Sequence, residues 1–91
     1  MEIIFHLANK LADKINISPA ASRGLIKLAI KDEFGPFKPL NQLNFSDFKN
    51  ILLHSLQNRL IELDVKDAKK IVDFLVLELT THQSLITIGG V

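Results

Sequence analysis

The chain has no cysteine, which excludes disulfides, zinc–thiolate sites and thiol chemistry and suits a reducing compartment. It also lacks any apolar run near the roughly 18 residues that a membrane span requires. Its first residues, Met1-Glu2-Ile3-Ile4-Phe5-His6, show neither the basic start nor the long apolar stretch of a secretory signal. The expected location is cytoplasmic, with no membrane partner. A dominant charge is missing as well, since 11 basic and 10 acidic residues leave a net charge of +1. The imbalance is only local. Residues 1–31 hold Lys10, Lys14, Arg23, Lys27 and Lys31 against Glu2 and Asp13, whereas the rest of the chain is slightly acidic.

What the chain has in quantity is apolar side chains, 47% of 91 residues. A chain this short has room for one domain, residues 1–91, and buries only roughly 60–65% of its unfolded surface. Such a content strains the interior of a small monomer, so a protein partner or self-association as a homodimer is the first expectation.

Periodicity predicts an all-α fold of four helices. Over Glu2–Ile15, the residues Ile4, Leu7, Ala8, Leu11, Ala12 and Ile15 recur at the 3–4 spacing of one helical face. Ser18-Pro19 then marks a new start, with a capping hydroxyl followed by a proline at the first helical position, where its missing N–H costs nothing. That second helix is expected to reach Phe34, where Gly35 and Pro36 stop it. Gly24 in its middle suggests a close approach by a neighbouring helix. Residues 36–43 form a Pro-containing loop that Phe37, Leu40 and Leu43 are expected to pin to the core.

The third helix is predicted to start at Asn44. Asn44 and Asp47 have the spacing of a capping box, and Leu43 and Phe48 that of a hydrophobic staple. Phe48, Leu52, Leu56, Leu60 and Leu63 form its stripe. Asp64 is expected to cap a fourth helix over residues 65–82, apolar nearly all round between Ile71 and Leu79. Such a helix is either central in the bundle or half of a dimer interface. The β-branched stretch Leu85–Ile88 suggests a short extended C-terminal segment. The plan is thus a compact bundle of two helical hairpins, residues 3–34 and 46–82, joined by the Pro-containing loop.

Chemistry-bearing patterns are absent. His6, His54 and His82 show no i, i+4 ligand spacing, so no metal site is expected. Asp64 and Asp67 lack the alternating oxygens and central glycine of a calcium loop. None of Ser18, Ser46, Ser55 and Ser84 lies in a nucleophile elbow, and Gly89-Gly90 lacks the lysine of a phosphate loop. The chain is accordingly read as a non-enzyme with no catalytic or cofactor-binding residue.

Two binding readings remain. In the first, a regulatory or scaffold protein-interaction module docks through Phe74, Val76, Leu77, Leu85, Ile86 and Ile88, because apolar side chains beyond what the core absorbs mark interfaces. In the second, residues 11–18 and the helix 19–34 follow the rhythm of a DNA-binding helix-turn-helix, with Arg23, Lys27 and Lys31 stepping along one face toward phosphates. There Ala12, Leu11, Ile15, Ile17 and Leu25 stand where that motif has small and apolar residues. Asn16 replaces the usual glycine, and Ser22 a branched apolar residue.

The stretch Leu60-Ile61-Glu62-Leu63-Asp64-Val65-Lys66-Asp67-Ala68-Lys69-Lys70-Ile71-Val72-Asp73-Phe74-Leu75-Val76-Leu77-Glu78-Leu79, followed by Ser84-Leu85-Ile86-Thr87-Ile88-Gly89, resembles the helical hairpin and first strand of bacterial histone-like proteins of the HU/IHF type. The resemblance covers roughly residues 46–91 and implies a dimerising helical core. That family grips DNA with a basic two-stranded arm after the strand. The sequence ends before such an arm, so no DNA-contacting residue carries over.

Overall fold

Helix punctuation in the sequence translates directly into caps. The structure, a computed structural model, describes residues 2–86. Helix α1 spans Glu2–Ile15 and α2 spans Pro19–Phe34, as the spacing predicts. The Ala21 amide donates to Ser18 Oγ at 3.1 Å, satisfying one of the free N–H groups at the start of α2. Gly35 ends α2 at φ 82°, a left-handed backbone that suits glycine, with its N–H donating to Lys31 O.

Helix α3 runs continuously over residues 45–62. It is α-helical over Phe45–Asn50, opens into a π-helix over Ile51–Leu56, and returns to α-helix over Gln57–Glu62. Its start carries the full capping box: Asp47 N donates to Asn44 Oδ1 at 2.9 Å, and Asn44 N donates to Asp47 Oδ2 at 3.0 Å. The π segment has a cause in the pattern. Phe48, Leu52, Leu56 and Leu60 recur at a strict spacing of four, and each is at most 1% exposed. In an unbroken α-helix, at about 100° per residue, Leu60 would lie about 120° round from Phe48. The wider turns of a π segment, here closed by Gln57 N donating to Leu52 O, take up that drift and hold all four on the core face.

Helix α4 spans Ala68–Thr81, three residues later than the predicted start at Val65. Asp64 is the reason. It adopts φ 58° and closes α3 instead of capping α4: Asp64 N donates to Ile61 O at 3.0 Å, and Val65 N reaches Leu60 O at 3.0 Å. That pair of bonds is a Schellman ending. The end of α1 shares its longer bond, with Asn16 at φ 58° and Ile17 N donating to Ala12 O at 3.2 Å. Asp67, also at φ 58°, precedes α4 without a side-chain cap.

The all-α bundle closes around one core. Helix α1 packs on α2 and α4, α2 lies on the π segment of α3, and α3 in turn packs on α4. Leu7 and Leu11 of α1, Ile26 of α2, Phe48, Leu52, Leu56 and Leu60 of α3, and Val72, Leu75 and Leu79 of α4 are all sealed from solvent. Each such leucine contributes roughly 1.5–3 kcal/mol relative to exposure.

Three expectations are corrected, and of the two placements open to the last helix, the central one is ruled out. Helix α4 is not enclosed: Ile71, Val72, Leu75 and Leu79 face inward, while Lys69, Lys70, Asp73, Leu77, Thr80 and Thr81 face solvent. Gly24 marks no close helix contact, because nothing lies within 4 Å of where its Cβ would stand. Leu43 and, in part, Leu40 anchor the connecting loop, but Phe37 does not; it is 92% exposed. Finally, Leu85 and Ile86 are not extended. Leu85 N donates to His82 O and Ile86 N to Gln83 O, forming a helical turn that lays both side chains against the core. That turn stands where the histone-like resemblance implies the beginning of a strand. Burial outweighs β-branched preference there, since a lone strand leaves its backbone unpaired. Ile88 lies outside the described residues.

Candidate functional site

The predicted protein interface is only partly a surface. Phe74 is half-buried, with the Lys14 ammonium 4.5 Å from its ring centre, a cation–π arrangement that shields the ring. Val76, Leu85 and Ile86 pack partly against the core. Leu77 alone points outward, 62% exposed among Asp73, Thr80 and Thr81. Two residues from both Leu75 and Leu79, it sits on the opposite side of the helix from that buried pair.

The loop supplies a more exposed apolar group than α4 does. Phe37 stands between Pro36 and Pro39, in a segment fixed at one end by the left-handed Gly35 and at the other by a 3₁₀ turn, Leu40–Gln42. A large aromatic ring almost wholly in water, on a short connection between fixed ends, is the form of an anchor residue. Ile61 and Leu63, at 55% and 61% exposure, add apolar surface at the end of α3.

The basic stripe is divided. Arg23 is half-buried, with its guanidinium 5.1 Å from the Phe5 ring centre, whereas Lys27 and Lys31 are exposed. Asp32 beside them is engaged by Arg59. The turn geometry does fit the helix-turn-helix reading, since Asn16 takes the left-handed conformation that glycine usually supplies. Ser22 is also fully buried on the inner side of α2, but its hydroxyl has no hydrogen-bond partner among the described residues.

No protein-family model, curated protein or solved structure matches the chain.

Three polar clusters complete the picture, none legible as a motif. Beside the π segment, the Ser55 hydroxyl donates to Glu33 Oε1 at 2.8 Å, and His54 Nδ1 lies 4.0 Å from the same oxygen. The adjoining cavity, about 410 Å³, is lined by Asp32, Ser55, Asn58, Arg59 and Glu62. A second cavity of about 400 Å³ is bordered by Lys14, Lys66 and Lys70, with Asp67 among them and Phe74 and Ile71 as apolar walls. The third cluster joins the two ends of the chain. His6 of α1 meets Glu78 and His82, with His6 Nε2 at 3.2 Å from Glu78 Oε1 and the two imidazole centres 4.1 Å apart.

This third cluster departs from the sequence reading. His6 and His82, which lack ligand spacing in the sequence, are half-buried neighbours in space, while His54 stays apart. Glu78 and His82 stand four apart, within reach of a local spacing rule, whereas His6 lies 72 positions before Glu78 and joins them only because α1 packs on α4.

Proposed function

We propose that the chain is a non-enzymatic protein–protein interaction module, of a regulatory or scaffold kind, with Phe37 as its anchor. The observation that carries this reading is the 92% exposure of Phe37 on a loop held at both ends. Burying such a ring in a partner gains roughly 1.5–3 kcal/mol. The fixed loop also loses little conformational freedom on binding. Self-association through the outer face of the 65–82 helix is the narrower form, supported by Leu77 and flanked by the half-buried Phe74, Val76, Leu85 and Ile86.

Light scattering at micromolar concentration tests the narrower form. A dimer that becomes a monomer on Leu77→Ser supports it, and a strict monomer ends it. For the broader form, a partner recovered from the source cells should be lost on Phe37→Ser while the fold is retained. Retention of every partner by that variant would overturn the anchor role.

One observation favours a second reading, DNA binding through α2. Asn16 gives the α1–α2 turn its left-handed residue, and Lys27 and Lys31 remain free on the outer side of α2. Duplex binding that weakens steeply with salt, and weakens further when Lys27 and Lys31 become Gln, would move the proposal to this reading. Arg23 is the least available of the three cations because of Phe5.

A further inference from the structure

The geometry points to a divalent transition-metal site, fitted best to zinc, formed by His6, Glu78 and His82. One donor atom from each residue lies within 4.8 Å of the other two. Imidazole nitrogens with one carboxylate oxygen are the donor set of many three-ligand zinc sites, in which solvent takes a fourth position.

Two of the three donors already stand at the required separation. Zinc bonds of about 2.0–2.2 Å place neighbouring ligands of a tetrahedron about 3.4 Å apart. His6 Nε2 and Glu78 Oε1 are 3.2 Å apart. The His82 donor lies within 4.8 Å of both, so only this side chain, just past the end of α4, has to move inward.

The tautomer of His82 is also fixed. Its Nδ1 lies 2.9 Å from the Glu78 carbonyl oxygen. A carbonyl only accepts, so Nδ1 carries a proton, and in the neutral ring Nε2 is the nitrogen open to a metal. Metal-binding histidines are characteristically held in this way, with the remote ring N–H donated to a carbonyl or carboxylate. The same bond orients the ring, which lies against that of His6 at a 39° tilt.

The surroundings are half-buried: the His6 and Glu78 side chains are 21% and 17% exposed. Among the described residues, Lys10 is the one further charged group bound into the cluster, its Nζ 3.7 Å from Glu78 Oε1 and its own side chain 42% exposed. Its ammonium can swing into solvent when the carboxylate turns to a metal. The ion would tie α1 to the C-terminal end of α4, a staple added to the packing of the two helices and to the Lys14–Phe74 contact between them.

Titration calorimetry of the full 91-residue chain with zinc chloride, after chelator treatment, tests the site. The expected result is a single saturable equivalent with micromolar affinity and no comparable heat with magnesium, a hard ion that prefers oxygen ligands. His6→Gln and His82→Gln should each weaken binding at least about tenfold, while His54→Gln leaves it unchanged. Thermal unfolding gives a second readout. At a free zinc concentration about 100 times Kd the folding equilibrium shifts about a hundredfold toward the native state, in the wild type but not in His82→Gln. Circular dichroism checks that each variant folds; should His6→Gln fail, Glu78→Gln takes its place with the same expectation. Absence of saturation below about 1 mM zinc overturns the site. So does affinity that survives loss of either histidine, or that falls equally with His54→Gln.

Discussion

Arg59 grips Asp32 with two bonds, Nε to Oδ2 at 2.6 Å and Nη2 to Oδ1 at 3.0 Å. This fork is the bidentate geometry in which an arginine–carboxylate pair is strongest, and it ties α3 to α2 just beyond the π segment. The hydrogen bond from Arg59, more than its charge, holds the Asp32 carboxyl below the usual carboxylate range, and the same bond raises the Arg59 guanidinium. Because the folded-state value of Asp32 is depressed, the pair adds stability above the unfolded value of about 3.9. That contribution disappears as pH falls through the folded value. Both side chains are substantially exposed, so solvent and salt screen the pair and its effect is small. Urea midpoints of the wild type and Asp32→Asn should differ at pH 6, and the difference should shrink as pH falls below about 3.9. A constant difference across that range would mean that the ion pair is not the cause.

The entry to α3 offers a larger effect. Asn44 and Asp47 satisfy one another's backbone amides at 2.9 and 3.0 Å. Asn44→Ala leaves the Asp47 amide without that acceptor and should cost about 1 kcal/mol, within the usual span for caps of about 0.5–2 kcal/mol. Chemical denaturation followed by circular dichroism measures it. An unchanged midpoint would show that solvent replaces the cap at no cost.

Ser22 should behave in the opposite sense. Its side chain is wholly buried, and its hydroxyl finds no partner among the described residues. A buried polar group left unpaired costs about 1–3 kcal/mol. Ser22→Ala removes the oxygen, leaves a void smaller than a methyl group and favours helix. Stability should rise by about 1 kcal/mol. Destabilisation would reveal a hydrogen bond formed in solution that this conformation lacks.

How far the fold can be read in advance depends on the range of the determining contact. The bounds of α1 and α2, the Ser18 cap and the Asn44–Asp47 box are written in neighbouring residues, so spacing alone recovers them. The π segment was also written locally, in the four-residue steps from Phe48 to Leu60, but a search for ordinary helical periodicity reads straight across it. Asp64 misled because aspartate suits both a helix start and a left-handed helix end. Only the Val65–Leu60 and Asp64–Ile61 bonds decide between them. Phe37 was misplaced for a different reason. A hydrophobic residue in a loop normally finds the core, and nothing nearby records that the loop turns this ring outward. The His6–Glu78–His82 cluster was beyond any local rule, because its members meet only when the first and last helices pack.

The two left-handed residues that end α1 and α3 allow the conformational argument to be tested against itself. Asn16 and Asp64 both stand at φ 58°, where a Cβ is crowded by the following carbonyl at a cost of about 1–2 kcal/mol for most residues. Asparagine and aspartate tolerate this region better than alanine does, and glycine best of all. Replacement of Asn16 by Ala should therefore destabilise by about 1 kcal/mol, whereas Asn16→Gly should be neutral or slightly stabilising. The order Gly ≥ Asn > Ala in thermal midpoint is the diagnostic, and Asp64 should follow it in Asp64→Gly and Asp64→Ala. The opposite is expected at Gly24, mid-helix and with open space around its Cβ position. There Gly24→Ala should stabilise by about 1 kcal/mol. A ranking of Ala above Gly at Asn16, or of Gly above Ala at Gly24, would mean that side-chain contacts and not backbone conformation set the stability of these turns.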